Sequence, residues 1–239
     1  MFIEQYYCEK NQKVSFTREQ ASDFAKNVCD DFNPIHDIDA KRFCVPGDLL
    51  FAIILSKIGL SQHMTFQFKG MVTEGIELNF PTQSTKGGFI TDDKEKEYLC
   101  FSQSGEHSQN ENLVTSLIRS YVEFSGHTFP YILGDLMEKN KVMINPARPM
   151  VMYESMEIHL EHFAVKDVSL KLNEQETQLT VDGKRGQAKL FFDLISNGEV
   201  VGHGIKFMLL SGLKPYCKNE MQALTTQFFA MKNEHYTTL

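Results

Sequence analysis

Residues 49–55, LLFAIIL, are apolar without a break, and Pro46, Gly47 and Asp48 stand directly before them. Proline and glycine suit a helix entry, and an aspartate in the first turn faces the positive end of the helix dipole. A helix is therefore expected within 46–62, PGDLLFAIILSKIGLSQ. A helix apolar on every side must be covered on every side, and this one is too short to span a bilayer. A curved sheet is the natural cover, which narrows the chain to an α+β fold built around a buried helix.

The flanking sequence supplies such a sheet. Upstream, Ala21, Phe24, Ala25 and Val28 recur at helical spacing in TREQASDFAKNVCDDF (17–32), with Thr17 and Gln20 as a capping box. Pro34 disfavours helical geometry at Asn33, so that helix should stop near there. FIEQYYC (2–8) alternates weakly and reads as a strand. Beyond residue 62 the runs MTFQF, MVTEGIELNF, EYLCFSQSG and NLVTSLIRSYVEFSG are rich in β-branched and aromatic residues, with turns such as TKGG and EHSQNEN between them. A shorter helix is expected at YILGDLMEK (131–139). MYESMEIHLEHF, VSLKL, QLTV and QAKLFFDLISNGEVVGHGIKFMLLSG then read as strands, with GKRGQ (183–187) as a hairpin turn.

RSYVEFSG (119–126) aligns without a gap on IKFMLLSG (205–212), at an offset of 86. A repeat of this kind implies two copies of one helix-plus-antiparallel-sheet unit. The expected division is a first repeat over 1–126, a second over 127–216, and a closing helical tail over 217–239. DDFNPIHDID (30–39) occurs only in the first repeat.

Composition excludes several functions. With 24 Lys+Arg against 31 Asp+Glu, a formal charge of −7 and no basic block, the chain lacks the cationic footprint of a nucleic-acid binder. Five cysteines without a CxxC pair fit reduced thiols and a cytoplasmic protein. MFIEQYYCEK has no apolar core of a signal peptide. At 239 residues the core can be large enough to need no disulfide or metal staple.

The chemistry concentrates at Asp31 and His36. On a continuous helix the two would lie about 140° apart, but the Asn33-Pro34 break lets both point into one space. Asn33 can bond back to the local backbone and hold the turn. A carboxylate and an imidazole so placed can grip one water, the equipment of general acid–base catalysis. Downstream, the free N–H groups at the Pro46-Gly47 helix entry could hold a developing oxyanion. Together these groups suit addition or elimination of water next to a thioester.

Asp31-Phe-Asn33-Pro34-Ile-His36, followed by a Gly-opened apolar helix, resembles the MaoC-like (R)-specific enoyl-CoA hydratases over about residues 24–60. The resemblance implies a hotdog fold, here a double hotdog whose halves form an internal pseudo-dimer, with homodimer assembly left open. It implies Asp31 and His36 as the groups that activate water, the Gly47 amide as the thioester-oxygen donor, and Asn33 and Pro46 as supports of the substrate loop. It implies an acyl-CoA or acyl-carrier thioester as partner, coenzyme A as part of the substrate, and no cofactor or metal. The family usually has Gly or Ser where this chain has Asp30, and its helix entry carries a histidine that is absent here. A thioesterase and a non-catalytic acyl-thioester binder remain open, because hotdogs host both and fold alone does not fix function.

Other residues read more plainly. A metal site from Asp31, His36, Asp37 and Asp39 would need several carboxylates to converge, and Asp37 and Asp39 fit a solvated loop better. His159 and His162, three apart on a strand, point to opposite faces, so zinc binding is not expected. His203 reads as structural. Ser56, Ser102 and Ser104 lack a nucleophile-elbow context. Lys41, Arg42 and Lys57 lie near the motif as candidate coenzyme-A contacts.

Overall fold

The structure, a computed structural model, describes residues 1–81 and 86–237. Its start corrects the sequence reading: Phe2–Tyr6 is a 3₁₀ turn, not a strand. Ile3 and Tyr6 both enter the core, which residues three apart can do in a 3₁₀ turn and cannot do in a strand. A hairpin of β1 (Cys8–Lys10) and β2 (Lys13–Ser15) follows. The expected box closes α1 (Arg18–Asn27): Gln20 N donates to Thr17 Oγ1 and Thr17 N to Gln20 Oε1, both at 3.1 Å. The helix stops at Val28, well before Pro34, and Asp30 reverses the chain with a left-handed φ of 56°.

α2 (Gly47–Ile58) is the buried helix that the apolar run demanded, with Leu49 to Leu55 no more than 2% exposed. Each large side chain so buried contributes about 1.5–3 kcal/mol, which makes this helix the anchor of the first half. β3 (Leu60–Phe68), β4 (Leu78–Asn79), β5 (Gly87–Thr91) and β6 (Glu97–Ser108) wrap it. MVTEGIELNF pairs only at β4. Of the expected TKGG turn, Thr85 lies outside the described residues, and Gly87 and Gly88 belong to β5.

The largest correction falls on NLVTSLIRSYVEFSG, which is a helix, α3 (Glu111–Gly126). Asn110 caps it, its side chain accepting from Asn112 N at 3.0 Å and Leu113 N at 3.2 Å. Leu113, Leu117, Tyr121 and Ser125, with Val114, Ile118 and Val122, are buried at a spacing of four along one face. Packing of that face overrides the β propensity of its Val, Ile, Tyr and Phe residues. The alignment of RSYVEFSG with IKFMLLSG therefore pairs a helix with a strand and is not a structural repeat. The second wrapped helix is α3, and not the short α4 (Leu133–Lys139), which follows a kinked turn over Thr128–Ile132.

The remaining elements are β7 (Val142–Met143), β8 (Val151–Leu160), β9 (Ser169–Leu172), β10 (Gln178–Asp182), β11 (Arg185–Ser196), β12 (Glu199–Ser211), β13 (Lys214–Pro215) and α5 (Lys218–Thr237). β10 and β11 meet in the expected hairpin, with Asp182 opposite Arg185.

All described pairings are antiparallel. One sheet runs β1-β2-β4-β5-β6-β3-β8-β12-β11-β10, with β9 also beside β11, and β7 pairs with β13 apart from it. The halves fuse at β3 and β8, where His63 faces His159 and Gln67 faces Ser155. Under this sheet the two helices lie against each other: the Phe51 ring of α2 meets Phe66 of β3 at 5.1 Å and Tyr121 of α3 at 4.8 Å. Tyr121 in turn meets Phe192 of β11 at 5.8 Å. Two helices, each wrapped by its half of one curved antiparallel sheet, make a double hotdog.

Candidate functional site

The Asn33-Pro34 break does what the sequence argument required. Asn33 Oδ1 accepts from Ile35 N at 3.3 Å, and Pro34–His36 form one 3₁₀ turn. Asp31 Oδ1 accepts from Asn33 N at 2.9 Å, which leaves Oδ2 free to face His36. His36 Nε2 stands 3.6 Å from Asp31 Oδ2. The other ring nitrogen lies 2.6 Å from the carbonyl of Cys44. A carbonyl only accepts, so Nδ1 carries a proton and Nε2 is the ring nitrogen turned toward Asp31. The gap is too long for a strong direct bond and too short to hold a water in line, so a water bonded to both groups would sit beside the pair. His36 is buried and Asp31 half-buried.

Gly47 and Pro46 sit at the head of α2 as expected, but the glycine has a packing cause. A Cβ there would come within 2.8 Å of the Phe68 ring. Of the first-turn amides, Leu49 N donates to the Pro46 carbonyl at 3.1 Å, while those of Gly47 and Asp48 have no intrahelical acceptor. Asp37 pairs with Lys26 at 2.8 Å, and Asp39 is exposed. Among the described residues no group of His, Cys, Asp and Glu is arranged to hold a metal. Lys57 is taken by Glu9, at 2.8 Å to both carboxylate oxygens, while Lys41 and Arg42 are exposed.

Three residues not assigned to the chemistry from the sequence, Asp48, Ser125 and Lys206, complete the site. Among the described residues, His36, Asp48 and Lys206 are the buried members of the Asp, Glu, Lys, Arg and His classes, and they lie in one cluster. Lys206 Nζ donates to Ser125 Oγ at 2.5 Å, and Ser125 Oγ donates to Asp48 Oδ2 at 2.5 Å. Lys206 also reaches Thr128 Oγ1 at 3.3 Å and lies over the Tyr153 ring, 4.4 Å from its centroid. Tyr153 hydrogen-bonds Tyr121 through the two hydroxyls and meets the Phe68 ring at a tilt, 4.2 Å between centroids. Gly47, Phe68, Tyr153, Lys206, Ser125 and Asp48 thus form a continuous circuit. Burial pushes the Asp48 carboxyl up and the Lys206 ammonium down, while each charge opposes the other's shift.

Asp48 could have been found from the sequence, since a helix apolar all round buries whatever its first turn carries. Lys206 left no signal. Both phases of GHGIKFMLL contain apolar residues, so the inward face cannot be chosen without the register.

The loop before the motif is fixed from two sides. Gly126 of α3 packs so closely that a Cβ would sit 1.7 Å from the carbonyl of Cys29. From the other side α5 lies across the loop. Lys232 bonds Asp30, His127 Nε2 bonds it at 2.8 Å, and Tyr236 donates to its other oxygen at 3.1 Å. Burial would raise the Asp30 carboxyl, but the Lys232 and His127 contacts hold it below its ordinary value. Phe32 is closed over by the rings of Phe228, His235 and Tyr236. Asp30 thus serves as an anchor for α5.

An open cleft of about 500 Å³, lined by Met1, Phe2, Glu111, Asn112, Lys166 and Asp167, lies at the opposite end of α3. Glu111 and Ser125 are about 21 Å apart along that helix, so the cleft is remote from Asp31 and His36. No described helix is long and apolar enough to cross a membrane.

The fold and this site define a double hotdog with one polar cluster at the seam of its halves. The chain belongs to the family described as Protein of unknown function (DUF3581), which matches residues 1–219. That match ends where α5 begins. No curated protein matches the sequence. Solved structures similar to it include an acyl-CoA thioesterase II, TesB2, from Mycobacterium marinum, at 8% identity over 91% of this chain and 100% of that one, with a TM-score of 0.47. A conserved hot dog-fold protein of unknown function from Alicyclobacillus acidocaldarius has 7% identity over 90% and 99%, with a TM-score of 0.46. A putative thioesterase II from Thermobifida fusca has 8% identity over 84% and 93%, with a TM-score of 0.42. These likenesses are distant, and the fold assignment rests on the strand order and the two wrapped helices.

Proposed function

We propose that this protein binds an acyl thioester and activates water on it at Asp31 and His36. Hydration of a 2-enoyl thioester to the 3-hydroxyacyl form, and its reverse, is the reading the geometry supports best. The observation that carries it is the 3.6 Å gap between His36 Nε2 and Asp31 Oδ2 beside the head of α2.

In this reading a water sits beside the pair, within hydrogen-bond reach of both the carboxylate and the imidazole. One of its protons passes to the Asp31/His36 pair as its oxygen bonds to Cβ of the enoyl group. The C=C electron pair shifts to the thioester, and the enolate oxygen is held by the Gly47 amide at the positive end of α2. The pair then returns a proton to Cα, so that one water is added and the site is restored. Coenzyme A or a carrier arm enters only as part of the substrate. Hydrolysis of the thioester would use the same water and oxyanion donor, aimed at the carbonyl carbon.

The test follows the conjugated double bond of enoyl-CoA substrates and, in parallel, release of free thiol. Wild type should consume the double bond without releasing thiol. Asp31→Asn and His36→Ala should each lose about 10²–10⁴-fold in rate while staying folded. Thiol release would make the protein a thioesterase. Stabilisation by acyl-CoA without any product would make it a binding protein.

A further inference from the structure

The Asp48, Ser125 and Lys206 circuit is the one buried charged assembly among the described residues, and the water mechanism above does not use it. Burying a carboxylate and an ammonium costs several kcal/mol each unless geometry and hydrogen bonds compensate, so its position needs a cause. Two facts tie it to Asp31. The backbone around Asp31 is pressed onto α3 beside Ser125, since a Cβ on Gly126 would stand 3.3 Å from Asp31 N. Asp48 itself occupies the second position of α2, next to Gly47. The groups that face Asp48 electrostatically are Asp31 and His36 from the motif, Cys29 just before it, Tyr121 of α3, Tyr153 of β8 and Lys206 of β12. Of these Lys206 is the one lysine or arginine.

Two carboxylates at a half-dry site repel, and one of them takes up a proton unless a cation is supplied. A bare carboxylate at Asp48 would also oppose any anion forming at the head of α2. Lys206 meets both needs from β12, in the other half of the sheet, through Ser125. Asp48 Oδ1 is buried and without a hydrogen-bond partner among the described residues, so the neighbouring polar groups leave this carboxylate only partly satisfied.

We propose that Lys206 is the counter-cation of Asp31 and Asp48 together, a positioning residue by which the second half of the fold completes the water site of the first. The inference rests on the reading of Asp31 and His36 as a water site, and it gives the second half an electrostatic part in that site. It treats Asp31, Asp48 and Lys206 as one electrostatic unit, so that a charge removed at either end is felt at Asp48.

The test needs no substrate. Aspartate carboxyl carbons of the full chain are followed by NMR against pH in wild type, Lys206→Met and Asp31→Asn. Asp48 should take up its proton about one pH unit or more higher in Lys206→Met, and shift downward by a similar amount in Asp31→Asn. If Asp48 titrates at the wild-type pH in Asp31→Asn, the unit does not exist and the inference is overturned. Lys206 is then only a buried structural partner. If Lys206→Met does not fold, Asp31→Asn decides alone, being near-isosteric at a half-buried position. A wild type inert toward every thioester would remove the hydratase reading and leave this titration intact. An unmoved Asp48 in an active hydratase would remove the inference and leave the reading.

Discussion

The two faces of β12 carry ionisable groups under opposite conditions. Inward, Lys206 is 3% exposed and bonded to Ser125 and Thr128. Outward, His203 continues a row across three strands: it faces His159 of β8, which faces His63 of β3. The rings of His63 and His159 are 4.2 Å apart, and those of His159 and His203 are 4.9 Å apart. On the outer face water can take up any change of charge, so three like groups can be neighbours at little cost. On the inner face every charge must be answered by a named partner. The comparison teaches that burial, rather than the number of titratable groups, makes a cluster specific, and that the inner cluster should dominate both stability and chemistry.

The largest effect should come from breaking the inner cluster unevenly. Lys206→Met leaves Asp48 buried without its cation and should cost about 3–5 kcal/mol. At about 2–4 °C per kcal/mol for a chain of this size, Tm should fall by roughly 6–20 °C. Asp48→Asn combined with Lys206→Met removes both charges and should recover most of that loss. Calorimetry of the two variants decides the matter. A double variant no more stable than the single one would mean that the lysine's packing, and not its charge, holds the seam.

The inner cluster is also where sequence reasoning ended. The helix at α2 was legible because LLFAIIL permits no exposed face. The α1 cap was legible because Thr17 and Gln20 satisfy a local rule. Asp31 and His36 were legible because proline fixes a break between them. α3 was misread, although Asn110 and the spacing of Leu113, Leu117 and Tyr121 were present, because its β-branched and aromatic content outweighed its period. Ser125 and Lys206 could not be paired at all: they are 81 residues apart, and only the strand register turns Lys206 inward. A site assembled from two halves of the fold is visible from one local motif only in part.

The α5 anchor at Asp30 is intermediate in burial, with Lys232 and Asp30 side chains about a fifth exposed. An intermediate position should give an intermediate effect. Lys232→Ala should cost about 1 kcal/mol or less, and the gap to wild type should narrow in about 1 M salt, where exposed pairs are screened. Asp30 is held below its ordinary value in the fold, so its contribution is present above the unfolded carboxylate range and is lost as pH falls through the folded value. The variant should therefore differ from wild type near neutral pH and converge with it in acid. A salt-independent loss of several kcal/mol would place this anchor with the buried cluster instead.

The outer row should show the smallest effect and the opposite dependence on residue type. Burial, then the neighbouring charges of His63 and His203, lower the His159 imidazole, with Glu161 opposing them. A histidine depressed in the fold favours the neutral form. Stability is therefore complete above the unfolded value near 6.5 and is lost as pH falls through it toward the folded one. His159→Gln removes the central ring of the row and should lose less Tm than wild type between about pH 7.5 and about pH 5.5. Because the site is open to water, the difference should stay well below that of Lys206→Met at any pH. A His159→Gln chain that lost Tm with the same slope as wild type would show that the row is electrostatically silent. A difference as large as the inner cluster's would mean that this face is covered by protein and not by water.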